Sequence, residues 1–404
     1  MRSASKFNTE KAKKSIGIAI IILLGLAFCS IPLFSFSAKL KLVTWIITGA
    51  AFAVEIIYLF IFRKWFADWF VVSSFLFILV AILGSALNGF KAFVWTPILL
   101  IIISALSYIF FKQNKPLVLP FFKILWIALS IFGLVFIIKY KDHVISLNFA
   151  RVGDEFGDLN DIALFLSLGA ILSFYFFFKM RWFFKIPLGL FFFVFTIDGL
   201  LTGSKIFILS LLSEIIVCVL LLFQKKKKWI ALIVIATVIA SFIIIINLPP
   251  LADIKKRVDS FFLTLFGQTN AFSRDYSTET RLLLFIDGIE MFMRKPLFGY
   301  GIQGFFSSSS AGFGWSHNNI SESLVSFGIV GSILFHYGIV KGIVCFAKGR
   351  KNDISNLCFI VVLFFIIAMI SVALNSQKIY AFVIGAPVAY LTNDENIISM
   401  RSRE

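Results

Sequence analysis

Residues 229–248 read WIALIVIATVIASFIIIINL, a run without a single charged side chain. A helix needs about 20 apolar residues to cross the hydrocarbon core of a bilayer, so this stretch predicts a membrane-spanning helix. The whole chain has the same character: of its 404 residues, 60% are hydrophobic and 15% are charged. Soluble domains average about 45–50% apolar and about 25% charged residues. The composition excludes a soluble protein and predicts an all-α, polytopic integral membrane protein.

Apolar runs between charge clusters predict twelve transmembrane helices. They cover residues 16–36, 42–62, 69–88, 92–111, 117–138, 161–178, 186–201, 206–224, 229–248, 321–340, 355–374 and 379–392. The first run has no small-residue cleavage site, which favours a retained helix over a signal peptide. The predicted organisation is a tail at 1–15, helices 1–9 within 16–248, a large outer loop at 249–320, helices 10–12 within 321–392 and a tail at 393–404.

The distribution of basic residues predicts the orientation. With the N-terminus inside, the cytoplasmic segments hold 22 Lys and Arg residues and the short outer segments hold eight. Basic residues collect on the cytoplasmic side of membrane proteins, so we expect both termini in the cytoplasm. This rule also accounts for much of the net charge of +17, and we expect the lipid bilayer, not nucleic acid, as a partner. The cysteine spacing indicates neither a disulfide nor a metal site, and we expect no cofactor.

The predicted outer loop 249–320 carries positive charge that the orientation rule does not explain. Loops of this length are uncommon unless they are functional or disordered, and a content rich in Phe, Leu and Ile argues against disorder. Its seven basic residues are Lys255, Lys256, Arg257, Arg274, Arg281, Arg294 and Lys295.

Within this loop, residues 279–295 (ETRLLLFIDGIEMFMRK) have the spacing of an amphipathic helix. Arg281 falls beside the apolar face and in the first turn, where free N–H groups and the helix dipole favour an anion. Two interpretations are open: an anion-binding arginine, or an interfacial helix whose arginine reaches lipid headgroups. The predicted apolar face consists of Leu282, Phe285, Ile286, Ile289, Phe292 and Met293.

Two glycine-containing segments resemble nucleotide-binding motifs but lack their context. Gly299, Gly301 and Gly304 spell G-x-G-x-x-G, a motif that binds dinucleotides only between a strand and a helix. Here it follows an amphipathic helix, and we interpret its glycines as tight turns that fold the loop back onto the membrane. Residues 202–205, Thr-Gly-Ser-Lys, lack the glycine spacing of a phosphate-binding loop.

His317 stands where the long loop meets the tenth predicted helix, beside Asn318 and one turn before Glu322. A lone histidine is more often structural than catalytic, but imidazole is suited to move protons near neutral pH. Its place at the outer surface, opposite a basic loop, makes His317 a candidate base. Of the other histidines, His143 lies in the first outer segment and His336 lies near the middle of the tenth helix.

The shorter outer segment, 139–160, places Arg151 among acidic residues, so it either pairs with them or binds an anion. Those acids are Asp154, Glu155, Asp158 and Asp161. Inside the predicted helices, Glu55, Asp198 and Glu214 are further functional candidates, because ionisable groups are costly within a membrane.

Four segments together resemble the O-antigen ligase and polymerase superfamily of bacterial surface-polysaccharide enzymes. Arg151, followed by Asn160 and an apolar helix, resembles the family's entry into a central helix. Residues 202–205 resemble its Thr-Gly-Ser-Arg turn, with Lys205 in place of arginine.

The other two segments lie in and after the long loop. Arg281 and the Pro-Leu-Phe-Gly-Tyr-Gly run at 296–301 resemble the family's Arg…Pro-Leu-Phe-Gly-x-Gly segment. Ser-His-Asn at 316–318, then Glu322 and Phe-Gly-Ile-Val-Gly at 327–331, resemble its His-Asn…Glu…Gly-Leu-Leu-Gly segment. The resemblance covers roughly residues 145–345.

This resemblance implies a metal-independent, inverting glycosyltransferase whose active site faces outside the bacterial cytoplasmic membrane. The implied donor is a glycan on a polyprenyl diphosphate, normally undecaprenyl. Arg151 and Arg281 would hold the diphosphate, with Lys205 and Arg274 as helpers, since arginine binds phosphate with two parallel hydrogen bonds.

In the same scheme, His317 would orient or deprotonate the acceptor hydroxyl. Asn318 and Glu322 would fix the surroundings of its imidazole.

Three functions stay open at this point. The favoured one is a repeat-unit polymerase for capsule, exopolysaccharide or O-antigen, with chain-length regulator and flippase proteins as candidate partners. A ligase that moves finished polymer onto an acceptor uses the same donor. A flippase or secondary transporter would show internal repeats and broken helices near the midplane, and the sequence shows no pairing of halves.

Overall fold

The computed structural model describes residues 2–33, 38–62, 68–91, 93–146, 151–156, 158–223, 228–265, 276–309, 316–349 and 351–392. In these ranges the regular structure is helical, without a strand. The α-helices are α1 (Arg2–Leu33), α2 (Ala38–Ile61), α3 (Trp69–Leu87), α4 (Thr96–Gln113), α5 (Val118–Lys139), α6 (Lys141–Ile145), α7 (Leu159–Lys179), α8 (Trp182–Leu201), α9 (Lys205–Leu222), α10 (Lys228–Ile246), α11 (Ala252–Leu265), α12 (Tyr276–Arg294), α13 (Gly304–Ser308), α14 (Asn319–Lys348), α15 (Asp353–Ala368), α16 (Lys378–Val383) and α17 (Gly385–Leu391).

The protein is a polytopic helical membrane protein. Among the described residues, nine helices are long and apolar enough to span a bilayer, with both parts of α14 counted together as one. Shorter apolar helices occupy the ninth, eleventh and twelfth predicted positions, at Trp229–Ile244, Asp353–Ala368 and Lys378–Leu391. Twelve complete spans therefore stay a prediction, although helix is present at all twelve positions.

Helix α7 forms the centre of the bundle and packs against α5, α8, α9 and α15. Its residues from Ile162 to Ser173 are buried without interruption, which is the pattern of a helix enclosed by other helices. Gly169 allows α8 to approach closely, since a Cβ there would lie 2.6 Å from the ring of Phe195. The first turn of α7 lies next to the turn before α9, where Ser204 donates to Asn160.

Segments predicted to lie on one side of the membrane meet at one end of the bundle. Asp68 lies 3.5 Å from both Lys112 and Lys341, which are all predicted to be cytoplasmic. At the opposite end, the backbone N–H of Val152 donates to the carbonyl of Leu201 at 3.0 Å. The arrangement is consistent with the predicted alternation of spans; which end faces the cytoplasm stays a prediction.

The tenth predicted helix, 321–340, is wrong as a single span, because α14 is broken at Gly328 (φ 63°, ψ −171°). The amide Nδ2 of Asn319 lies 2.9 Å from Nε2 of His336, 17 residues further along the chain. A straight α-helix would separate these residues by about 25 Å. The chain therefore reverses at Gly328, and residues 319–327 fold back beside residues 329–348.

The Pro-Leu-Phe-Gly-Tyr-Gly segment at 296–301 stabilises this break by forming hydrogen bonds with the backbone of α14. Tyr300 N–H donates to Val325 O at 2.8 Å, and Ile329 N–H donates to Pro296 O at 2.8 Å. A side chain at Gly328 would overlap the carbonyl of Leu297, so the approach needs glycine. The glycine run is thus a turn that fills a helix break, in keeping with our rejection of a nucleotide site.

The amphipathic helix α12 forms as predicted, and the face that packs against the protein differs from the predicted apolar face. Leu284 and Met291 are buried together with Gly288, whereas Leu282 and Met293 are 54% and 69% exposed. Gly288 decides the face, since a Cβ there would lie 3.0 Å from Ser321 of α14. Apolar side chains of α12 point in most directions around the helix. Hydrophobic spacing alone could therefore not identify Gly288 as the small residue that lets α14 approach.

Candidate active site

Cationic side chains from four segments gather near the first turns of α7, α9 and α14. Arg281 is the sixth residue of α12, so its predicted place in the first turn of that helix is wrong. Lys205 lies close enough to Arg281, Arg257 and Arg151 for their charges to act on it, and His317 is similarly close to Arg281. The N-terminus of a helix carries partial positive charge and free N–H groups. We call Arg151, Lys205, Arg257 and Arg281 the cationic cluster. Their charges and the nearby helix N-termini together favour the binding of an anion.

The turn at residues 202–205 packs between Arg151 and α11. Gly203 has φ 60°, and a Cβ there would lie 3.5 Å from Cβ of Arg151 and 3.0 Å from Nη1 of Arg257. The hydroxyl of Ser204 donates to Oδ1 of Asn160 at 2.9 Å. These contacts fix Lys205, the next residue, at the start of α9.

Arg257 is the cluster residue to which the sequence assigned no role. Its Nη1 donates to the carbonyl of Gly203 at 3.2 Å. Helix α11 is held there because Leu251 and Ile254 pack with Leu200 at the end of α8. The only sequence signal was the unexplained basic charge of the long loop.

Two of the acids near Arg151 in the sequence, Glu155 and Asp158, have other partners in the structure. Glu155 pairs with Lys139, and Asp158 caps α7 by accepting from the N–H of Asn160 at 2.7 Å. Asp158 also lies within electrostatic reach of Arg281 and His317. These contacts leave the cationic cluster with a positive balance.

Arg281 points into the protein from the packed face of α12. Its Nη1 donates to Oγ of Ser371, in the turn after α15, at 3.0 Å. Burial lowers the pKa of the guanidinium; Asp158 opposes the shift and Arg151 adds to it. Arginine remains charged under such shifts, so Arg281 is a fixed cation within the site and not a headgroup anchor.

His317 lies on a tight turn that is stabilised by hydrogen bonds from neighbouring residues. Its φ of 51° is in the left-handed region, a conformation that costs on the order of 1–3 kcal/mol and concentrates at functional sites. Oε2 of the buried Glu322 accepts from Ser316 N–H at 3.1 Å, while Ser316 Oγ donates to Asn318 O at 2.8 Å. The side chain of Asn318 caps α14 by accepting from Ile320 and Ser321 N–H groups.

The surroundings of His317 keep its imidazole neutral. Burial lowers the pKa of His317, the positive charge of Arg281 lowers it further, and Asp158 opposes both. A neutral imidazole near pH 7 can accept a proton, which is the chemical requirement for a base.

Four of the seven predicted site residues come together: Arg151, Lys205, Arg281 and His317. Asn318 and Glu322 lie in the supporting turn, where Glu322 is 1% exposed and also accepts from Ser326 Oγ at 3.2 Å. Arg274 lies outside the described residues.

The three acids within the predicted helices, Glu55, Asp198 and Glu214, are buried. Their carboxylates have no hydrogen-bond partner among the described residues.

Part of the chain that carries this site matches the model of a known family. Residues 190–336 match the family model for O-antigen ligase, a range that includes Lys205, Arg257, Arg281 and His317 and excludes Arg151. No curated protein matches the chain. The match over residues 190–336 supports the predicted resemblance to the O-antigen ligase and polymerase superfamily.

Proposed function

We propose that the protein is a repeat-unit polymerase for capsule, exopolysaccharide or O-antigen. It transfers glycan from a polyprenyl diphosphate donor, undecaprenyl in the usual case, to a hydroxyl of a lipid-linked acceptor sugar. The reaction takes place at the outer face of the bacterial cytoplasmic membrane. The family supports a transferase of the ligase and polymerase group, and the observation that carries the proposal is the meeting of the cationic cluster with His317.

The cationic cluster suits a diphosphate leaving group. Negative charge grows on the leaving diphosphate as the glycosidic bond breaks, and fixed cations stabilise that charge most in the transition state. Arg151 and Arg281 can each offer two parallel N–H donors to phosphate oxygens, while Lys205 contributes a point charge. The nearby helix N-termini add to the same field.

The chemical step follows from the position of His317. The acceptor oxygen forms a bond to the anomeric carbon, and its proton passes to an imidazole nitrogen of His317. The bond from the anomeric carbon to the phosphate oxygen breaks, and its electron pair leaves with the diphosphate. Attack opposite the leaving group inverts the anomeric carbon.

The broken helix α14 does not favour a transporter. In transporters, broken helices place binding sites near the midplane. Here the break at Gly328 adjoins Gly84 and Ser85 in the last turn of α3, through residues 297–301. Backbone of the 296–301 segment occupies the break, where a transporter would bind its substrate.

Reconstitution with a lipid-linked repeat unit tests the proposal. The substrate would be extracted from cells that lack this protein and added to purified protein in liposomes. A polymerase makes a ladder of longer lipid-linked glycans and releases undecaprenyl diphosphate without another acceptor. A ligase, the second candidate because it shares the donor, forms product only when an acceptor such as lipid A core is added. Movement of the lipid across the bilayer without bond formation would overturn both.

A further inference from the structure

A buried hydrogen-bond network joins the two halves of α14 to the turn after α15. Asn319 is fully buried, and its Nδ2 lies 2.9 Å from Nε2 of His336. Its Oδ1 accepts from Leu374 N–H at 2.7 Å, and its own N–H donates to Met369 O at 2.9 Å. One asparagine therefore connects three segments that are distant in the sequence.

The partners define the protonation state of His336. Nδ1 of His336 lies 2.7 Å from the carbonyl of Ser332, which can only accept, so Nδ1 carries a hydrogen. The N–H of Leu374 can only donate, so Asn319 turns its oxygen to Leu374 and its NH₂ to His336. Nε2 must therefore accept. Only the neutral imidazole with hydrogen on Nδ1 satisfies every bond.

One end of the network reaches Arg281 of the cationic cluster, and the other end reaches the turn that carries His317. Met369 and Leu374 flank Ser371, whose hydroxyl accepts from Arg281. Asn319 follows the tight turn that presents His317. The orientation of the Asn319 side chain thus sets the position of His317 relative to the segment that binds Arg281.

Resting on the function proposed above, we propose that His336 is a positioning residue for His317. Its Nε2 acceptor holds the amide of Asn319 in the orientation that binds Leu374. Without that acceptor the NH₂ group is buried without a partner, and the amide can turn away from Leu374. His317 would then lose its fixed separation from Arg281, while the cations that bind the donor stay in place.

Two substitutions separate this role from packing, since the His336 ring also contacts the ring of Phe335. In His336→Gln, the amide oxygen can replace Nε2 as acceptor for Asn319. In His336→Leu, the volume is nearly kept and the acceptor is lost. We expect His336→Leu to lower kcat by roughly 10²-fold with little change in KM, as a small misplacement of a reacting group does. His336→Gln should restore most of kcat.

Combination with His317→Ala tests whether His336 acts through His317. Residues that act together are not additive, so the double variant His317→Ala/His336→Leu should be little slower than His317→Ala alone. Losses that multiply, or a His336→Leu variant with the wild-type kcat, would overturn the inference. Equal losses for His336→Leu and His336→Gln would also overturn it.

A spectroscopic test is independent of activity. The chain has three histidines, so ¹⁵N-histidine NMR of the full chain in nanodiscs, assigned with His336→Gln, can report the tautomer of His336. We expect hydrogen on Nδ1 and none on Nε2. In Asn319→Asp, two acceptor oxygens replace the amide, and Nε2 should gain a hydrogen.

The two tests fail in distinguishable ways. A hydrogen on Nε2 of His336 in the active wild-type protein would overturn the positioning role and leave the proposed function standing. If the wild type forms no glycosidic bond while His336 shows the expected tautomer, the proposed function fails and its positioning role falls with it.

Discussion

Arg281 on α12 and Ser371 after α15 are joined by a hydrogen bond of 3.0 Å across 90 residues of sequence. The bond fixes the plane of the guanidinium at the edge of the cationic cluster. Orientation of that plane matters, because bidentate binding of phosphate requires two N–H groups aimed together. The contact explains how a residue of a peripheral helix becomes part of a site built on the central bundle.

Replacement of Arg281 by lysine should be nearly as damaging as replacement by alanine. Lysine keeps the charge but loses both the bidentate geometry and the planar group that binds Ser371. Turnover of the lipid-linked repeat unit by purified variants measures the effect.

The matched control for this substitution is Arg294→Lys, at the other end of the same helix. Arg294 is exposed and lies 4.0 Å from Glu290, and exposed pairs of this kind contribute at most about 1 kcal/mol. Its turnover should be unchanged. Wild-type turnover by Arg281→Lys would show that the charge alone suffices and would refute bidentate binding of the diphosphate by Arg281.

His317→Ala should lower turnover by roughly 10²–10⁴-fold, the usual range for loss of a general base. The base acts as neutral imidazole, so the rate falls as pH decreases through its pKa. Burial and the charge of Arg281 lower that pKa below its ordinary 6.5. The wild-type rate should therefore be level near pH 7 and fall only below pH 6.5, and His317→Ala should lack this acidic limb.

The suitable control is His143→Ala and not His336→Ala. His336 lies in the tenth predicted helix, but its bond to Asn319 connects it to the site and makes it unsuitable as a control. His143 lies in the short helix α6, away from that network. An acidic limb that persists in His317→Ala would assign the titration to another group.

Glu322→Gln should retain most of the activity, whereas Glu322→Ala should lose it. In Glu322→Gln, the amide oxygen can accept from Ser316 N–H and the NH₂ can donate to Ser326 Oγ. In Glu322→Ala, the buried Ser316 N–H loses its acceptor, at a cost of about 1–3 kcal/mol. Turnover and thermal unfolding of both variants separate the roles. Equal loss in both would show that the charge of Glu322 is needed in addition to its hydrogen bonds.

The orientation can be tested with single cysteines in a variant that lacks the four native ones. Ser308 and Lys348 are both exposed, at opposite predicted sides. In intact cells, Ser308→Cys should react with a membrane-impermeant thiol reagent and Lys348→Cys should not. The reverse labelling would place the site in the cytoplasm and remove the lipid-linked donor from its reach.

Hydropathy predicted the helices because membrane spans must be both apolar and about 20 residues long. The start of α14 next to His317 was also predicted correctly. The apolar run begins there, and Asn318 has the chemistry of an N-cap. The break at Gly328 could not be foreseen: it lies in an apolar run, and its cause is the distant 296–301 backbone. Arg257 was missed for a similar reason, because its contact joins α11 to the distant turn before α9.

Binding of undecaprenyl diphosphate to the purified protein tests the central claim most directly, since it requires no knowledge of the sugars. We expect the wild type to bind the diphosphate more tightly than undecaprenyl monophosphate. Alanine at Arg151, Lys205, Arg257 or Arg281 should weaken diphosphate binding, while Arg294→Ala and His317→Ala should leave it unchanged. Equal affinity for both lipids, or diphosphate binding that survives loss of Arg151 and Arg281 together, would contradict the account.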